Sequence, residues 1–148
     1  MAFDIQTTLE VVRDCIRDNQ RADRVEIGHP KEPPGENTYA AIYMNRVQVA
    51  ELTLSRTIEL HVVTIRYYQR ALNENAAEVE LNLARQVALL LSDLLGDYDL
   101  GGTIRNVDAG ASYGTRLQAT FQWADEGRYR FAEITLPLVV DDSLTPAA

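Results

Sequence analysis

The stretch from Asn75 to Gly96 most constrains the fold. On a helical wheel, Ala76, Val79, Leu83, Val87, Leu90 and Leu94 fall in one narrow stripe. Ala77, Ala84, Ala88, Leu91 and Leu95 widen it to roughly half the circumference, beyond the ~100° of an ordinary surface helix. Glu78, Asn82, Arg85, Gln86 and Asp93 gather opposite, and Leu89 points away from the stripe. Asn75 is placed to cap the first turn, with Glu78 reaching back as in a capping box, and Gly96 is placed for a left-handed C-terminal position. So wide an apolar sector needs a sheet to cover.

The flanking segments supply that sheet. An N-terminal helix is expected from Asp4 to Asn19, with Ile5, Leu9, Val12 and Ile16 on one face and Cys15 at its edge as a small, partly buried hydrophobe. A short extended piece, Val25 to Ile27, leads into GHPKEPPGEN, a loop over residues 28–37 that contains His29. Tyr39 to Met44 and Val47 to Leu54 read as strands joined by a tight turn at Asn45-Arg46. In Thr57 to Tyr68, Ile58, Leu60 and Val62 line one face, while His61, Val63, Ile65 and Tyr67 line the other, so both faces need a cover. The long helix is one cover. The N-terminal helix, a second sheet layer or a neighbouring subunit is the other, and His61 is a packed, hydrogen-bonded side chain.

After the long helix, Gly101-Gly102 turns the chain, Thr103 to Val107 has strand composition, and Leu117 to Trp123 alternates cleanly. Asp125-Glu126-Gly127 fits a hairpin loop before a return strand, Arg128 to Val140, in which Pro137 indicates an edge position. Residues 141–148 read as a frayed tail. The expected architecture is a single α+β domain over residues 1–148: a mostly antiparallel sheet with an N-terminal helix and one long central helix packed on it.

Composition narrows the function. A net charge of −8 argues against wrapping nucleic acid. One cysteine excludes an intrachain disulfide framework and a multi-cysteine zinc site. The start MAFDIQ lacks a signal-peptide layout, and the longest apolar run, Val87 to Leu91, is far short of the ~20 residues of a membrane span. No nucleophile elbow, phosphate loop, HExxH or GxGxxG pattern occurs, so no catalytic, cofactor-binding or metal residue is nominated and no enzyme is expected. Asp93, Asp97, Asp99 and Asp108 read as a solvated acidic neighbourhood without the spacing of a calcium loop.

The two-faced strand TIELHVVTIRYY, the alanine- and leucine-rich helix, the turn GDYDLGGTIRNVD and the closing strand YRFAEITLPLVVDD occur in that order. In this layout the chain resembles the tail terminator proteins of long-tailed, non-contractile phages and their prophage relatives. The resemblance implies a virion protein that forms a hexameric ring on the finished tail tube, stops its polymerisation and presents the surface for head and neck attachment. Its implied partners are further copies of itself, the tail tube protein and a head-completion or neck protein, with DNA only passing through the lumen and no membrane. Its implied locations are the tail–neck junction of the virion and the host cytoplasm during assembly. Arg46, Arg56, Arg128 and Arg130 are candidate cross-subunit charges, and Tyr67, Trp123 and Tyr129 candidate interface anchors. The acidic charge serves either a lumen that repels phosphate or simple dispersal of the subunit. Another ring-forming neck component, such as a head-completion or head–tail joining protein, or a dimeric α+β binding module fits the same residues.

Overall fold

Asn75 acts as its position demands. In a computed structural model describing residues 5–28, 37–54, 57–71, 74–97, 100, 104–124 and 128–141, its side chain accepts hydrogen bonds from the backbone N–H groups of Ala77 (3.0 Å) and Glu78 (3.2 Å). The helix it opens runs Ala76–Gly96 and is the second of two; in chain order the elements are α1 (Ile5–Asp18), β1 (Arg24–Ile27), β2 (Thr38–Leu52), β3 (Thr57–Arg70), α2 (Ala76–Gly96), β4 (Asn106–Val107), β5 (Gln118–Ala124) and β6 (Tyr129–Asp141). Asp97, at φ −112°, caps the far end of α2, so Gly96 remains helical and the expected left-handed glycine is not used.

The narrow stripe of α2 is buried from Val79 on, through Leu83, Val87, Leu90 and Leu94, while Ala76 at its start is exposed. At about 2 kcal/mol per side chain the buried ones contribute on the order of 10 kcal/mol before chain entropy is subtracted. Leu83, Val87, Leu90 and Leu94 meet Val12 and Ile16 of α1 and Ile42, Val63, Ile65, Ile134, Leu136 and Leu138 of the sheet in one core. Both helices therefore lie on the same face. Of the widening residues, Leu91 is partly buried against the core, whereas Ala77, Ala84, Ala88 and Leu95 remain exposed.

The sheet has six strands in the order β1-β2-β3-β6-β4, with β5 also paired to β6. It is mixed, which corrects the expectation of a mostly antiparallel sheet: β1 runs parallel to β2, with Arg24 beside Tyr39 and Ile27 beside Ile42. Ten residues separate the two strands. At about 3.3–3.6 Å per residue they can return the chain to the starting end of a four-residue strand, whereas a tight turn would have enforced antiparallel pairing.

A second correction concerns Asn45-Arg46. β2 runs straight through this pair as one strand, its register with β3 slipping between Met44 and Arg46 and again between Val49 and Glu51. Before the first slip Ala40, Ile42 and Met44 face the helices, and after it Val47 and Val49 do. The bulge changes the phase of the alternation, and in sequence that phase change looks like a turn. Pro137 is a third. β6 is paired along both sides, but β5 ends opposite Thr135 and β4 begins opposite Leu138. The Pro137 carbonyl accepts from the Asp108 N–H at 2.9 Å on that side, so its nitrogen points into the gap between the two partners, where no donor is needed.

The face away from the helices is covered by the chain itself. Ile58, Leu60, Val62 and Val139 are buried there, with Tyr113 and Ala50 packed against them. Tyr113 belongs to residues 108–117, which cross this face, its hydroxyl donating to Glu51 at 2.7 Å. Farther along, Tyr68 packs against Phe131, Tyr39 and Tyr129, with ring centroids 5.1, 5.9 and 6.2 Å away.

Candidate protein interface

β5 pairs with β6 and, among the described residues, with no other strand. Its register sets Ala119 beside Ile134, Phe121 beside Ala132 and Trp123 beside Arg130, so these three point to the helix side of the sheet. Phe121 is 37% exposed and Trp123 53%. The Arg130 guanidinium donates to Glu80 of α2 at 2.9 and 3.2 Å, and its centre lies 5.2 Å from the Trp123 ring and 5.8 Å from Phe121. Arg130 thus bridges helix and edge strand with its charge over two aromatic faces. Ala84, Ala88, Leu91 and Leu95 lie within about 80° of Glu80 around the helix. The exposed flank of α2 and the aromatics of β5 therefore share one side of the molecule.

A second apolar surface stands at the far end of β2. β1 pairs with β2 only from Tyr39 to Ile42. Past it, Val47, Val49 and Leu52 are 39%, 59% and 76% exposed, all three on the helix side, and Leu54 is fully exposed. On the opposite side Arg46 donates to Thr115 and, at 3.0 Å, to Gln48, tying this arm to the crossing segment.

The residues nominated from sequence scatter. Arg46 is on the β2 arm; Trp123 and Arg130 are on the β5 side; Arg128 is exposed just before β6. Tyr67 is wholly buried in the core, its hydroxyl donating to the Arg21 carbonyl, and Tyr129 is buried in the aromatic cluster. Arg56, the 29–36 part of the proline-rich loop with His29, the hairpin tip 125–127 and the tail 142–148 lie outside the described residues.

His61 is fully buried, its Nε2 2.8 Å from Glu59. Burial, reinforced by the Asp93 and Asp97 carboxylates, pushes the Cys15 thiol up to about 11, away from the thiolate a nucleophile needs. A cleft of about 270 Å³ is lined by Gln20, Asp23, Asn37, Gln69, Asn82 and Gln86; its charged members are engaged, Arg21 with Asp93 and Asp23 with the Thr38 backbone. Among the described residues no group of three or more His, Cys, Asp or Glu side chains is arranged to hold a metal ion, and no helix is long and apolar enough to cross a membrane.

Sequence reading missed two working carboxylates. Asp108, 2% exposed, accepts from the backbone N–H groups of Ser112 (2.9 Å) and Tyr113 (3.1 Å) and shapes the crossing segment. The turn composition of DAGASYG carried that signal. Asp93 holds Arg21 rather than facing solvent.

The architecture is a two-helix layer on one face of a six-stranded mixed sheet. No protein-family model matches the sequence, and no curated protein matches it. Among solved structures, a chain of a particle described as "Virion of native gene transfer agent (GTA) particle" has a similar fold, with a TM-score of 0.61 and 14% sequence identity over 95% of this chain and 99% of that chain. At that identity the likeness is one of fold.

Proposed function

We propose that the chain is a structural protein of a phage-like virion and, within that class, a tail terminator. In this reading six copies close into a ring on the finished tail tube, end its polymerisation and offer the docking surface for the head. The partners are the tail tube protein and a head-completion or neck protein, at the tail–neck junction, after assembly in the host cytoplasm. DNA only passes through the lumen, where carboxylates facing the channel would repel phosphate. The role is architectural and not enzymatic.

The observation that carries this reading is the extent of the fold likeness: it spans nearly the whole of both chains, and the other chain belongs to a virion particle. The two separate apolar surfaces support it, because a closed ring needs two different contact faces on each subunit. Arg46, Trp123, Arg128 and Arg130 stand at or near those surfaces and Arg56 remains a further candidate, while Tyr67 and Tyr129 serve from behind as packing.

Deleting the gene from the particle that encodes it tests the proposal. Overlong tails are the expected outcome; tails of normal length detached from heads would assign the chain to head completion instead. Electron micrographs of the purified protein mixed with assembled tail tubes should show a cap at one end.

A further inference from the structure

We propose that the sheet continues from one copy of this chain to the next, the outer edge of β5 pairing antiparallel with residues 46–52 of β2 in a second copy, an edge that is free among the described residues. The inference deepens the ring reading and rests on it for its purpose, but its grounds are local. β5 reads Gln-Ala-Thr-Phe-Gln-Trp-Ala, seven residues with no charge and no proline. Natural edge strands are guarded by charge, proline or brevity, and an unguarded one is a template for another strand. The opposite edge of the sheet shows the contrast: β1 has four residues and carries Arg24 and Glu26.

Direction and facing both fit. β2 and β6 are each antiparallel to β3 and so run the same way, while β5 runs against β6. A second copy set alongside in the same sense therefore brings β2 antiparallel to β5. Phe121 and Trp123 point to the helix side of the sheet, and so do Val47, Val49 and Leu52. Setting Phe121 beside Val49 places Trp123 beside Val47, covering these four exposed apolar side chains at once. On the other face Gln122 falls beside Gln48, and Thr120 beside Ala50 and Glu51 at the bulge.

Area decides how far the contact extends. At ~150–250 Å² per aromatic side chain, the exposed fractions of Phe121 and Trp123 leave on the order of 200 Å² in water. A stable contact takes about 800 Å² per partner, so the interface includes the neighbouring flank of α2, with Ala84, Ala88 and Leu95. A twofold β5–β5 contact would leave the β2 arm exposed; the head-to-tail contact uses both surfaces. Within its own sheet Phe121 is level with Ala132, Tyr67 and Ala40. Opposing it to Val49, which is level with Glu59 and Val140, displaces the next copy by the steps from Ala132 to Val140, roughly 26 Å along the strands. A closed assembly then has strands oblique to its axis, as closed sheets do.

Crosslinking the purified full-length chain at high concentration tests the seam. In a Cys15→Ser background, Gln48→Cys and Gln122→Cys put thiols on the two strands, both on the face away from the helices. With a short bifunctional thiol reagent, the double variant is expected to give a ladder of oligomers, each single variant none, and a mixture of the two single variants dimers only. Trp123→Glu should abolish the ladder with an unchanged circular dichroism spectrum. Linkage of Gln122→Cys to itself would overturn the proposal in favour of a twofold dimer, and a double variant that stays monomeric would overturn it outright. Overlong tails on gene deletion without a ladder would sink the seam and leave the terminator role; a ladder without a tail defect would do the reverse.

Discussion

The Asp93 carboxylate accepts two hydrogen bonds from Arg21, 2.6 Å from Nε and 3.1 Å from Nη2, and so joins the segment after α1 to the C-terminal part of α2. An acid near a helix C-terminus opposes the helix dipole, and the last turn of α2 has no basic residue of its own. Arg21 supplies that cation from the connection between α1 and β1, with the two side chains only 24% and 16% exposed. Asp93→Asn should cost about 1.5–3 kcal/mol, the range for hydrogen bonds to charged groups. Arg21→Lys should lose much of the same, because an ammonium cannot reproduce the two-pronged geometry. Urea unfolding midpoints at equal slope would measure both.

Asp108 controls access to the far face of the sheet. Its carboxylate gathers the N–H groups of Ser112 and Tyr113, which sets Tyr113 against Ile58, Leu60 and Val62. Asp108→Ala leaves two backbone donors without their acceptor and is expected to destabilise the chain by about 1–3 kcal/mol. The segment should also open locally. Amide exchange at Ser112 and Tyr113, and at the strand residues beneath, should rise more than in α2. Equal acceleration everywhere would assign Asp108 a global role instead.

Much of this fold was legible because local signals and global packing agree. Asn75 caps α2, the narrow stripe of α2 is its buried face, and Thr57–Tyr68 is a central strand apolar on both sides. The misreadings share a cause: periodicity reports phase and not connectivity. A bulge after Met44 and a turn at Asn45-Arg46 both break the alternation, and only the partner strand tells them apart. The parallel β1–β2 pair had no local signature, since its cause is a return path through ten intervening residues. The apolar breadth of α2 calls for a sheet to cover it, yet Ala77, Ala84, Ala88 and Leu95 stay exposed, because a wheel shows how much of a helix is apolar and not how much sheet lies beneath it. The scatter of Tyr67, Trp123 and Tyr129 between core and surface follows from strand register, which single residues do not encode.

Alkaline pH should loosen the chain in stages. Burial pushes the Cys15 thiol from its ordinary 9.0 to about 11, with Asp93 and Asp97 adding to it. Burial likewise raises Tyr67, and burial together with the Glu26 hydrogen bond raises Tyr39, each from 10.0 to about 12. Every one of these groups holds its proton more tightly folded than unfolded. Their contribution is therefore complete below about pH 9 and is lost as pH rises from 9 towards 12. Denaturant midpoints should be flat with respect to these groups between pH 7 and 8.5 and fall above pH 9. Cys15→Ala should delay the onset of that fall. Slow alkylation of Cys15 at pH 8 in the folded chain is the companion observation.

Arg130 and Trp123 give the clearest optical test of the exposed side. Trp123 is the one tryptophan of the sequence, so fluorescence reports this surface alone. Its ring is 53% exposed and lies 5.2 Å from the Arg130 guanidinium, which Glu80 holds from α2. The monomer should therefore emit at long wavelength. Arg130→Met removes the cation from two rings, worth about 0.5–1 kcal/mol each at such sites, and the two hydrogen bonds to the half-exposed Glu80. A loss of about 1–2 kcal/mol is expected, since an exposed partner regains water and only the aromatic share is lost in full. Arg130→Lys should keep part of it. Glu80→Gln separates the two contributions: it weakens the tether while leaving the cation over Trp123, so the emission should change less than in Arg130→Met. If copies join through β5, raising the concentration of the unaltered chain should shift the emission to shorter wavelength as Trp123 leaves water. The shift should be absent in Val49→Lys, which puts a charge on the opposing strand without touching the tryptophan.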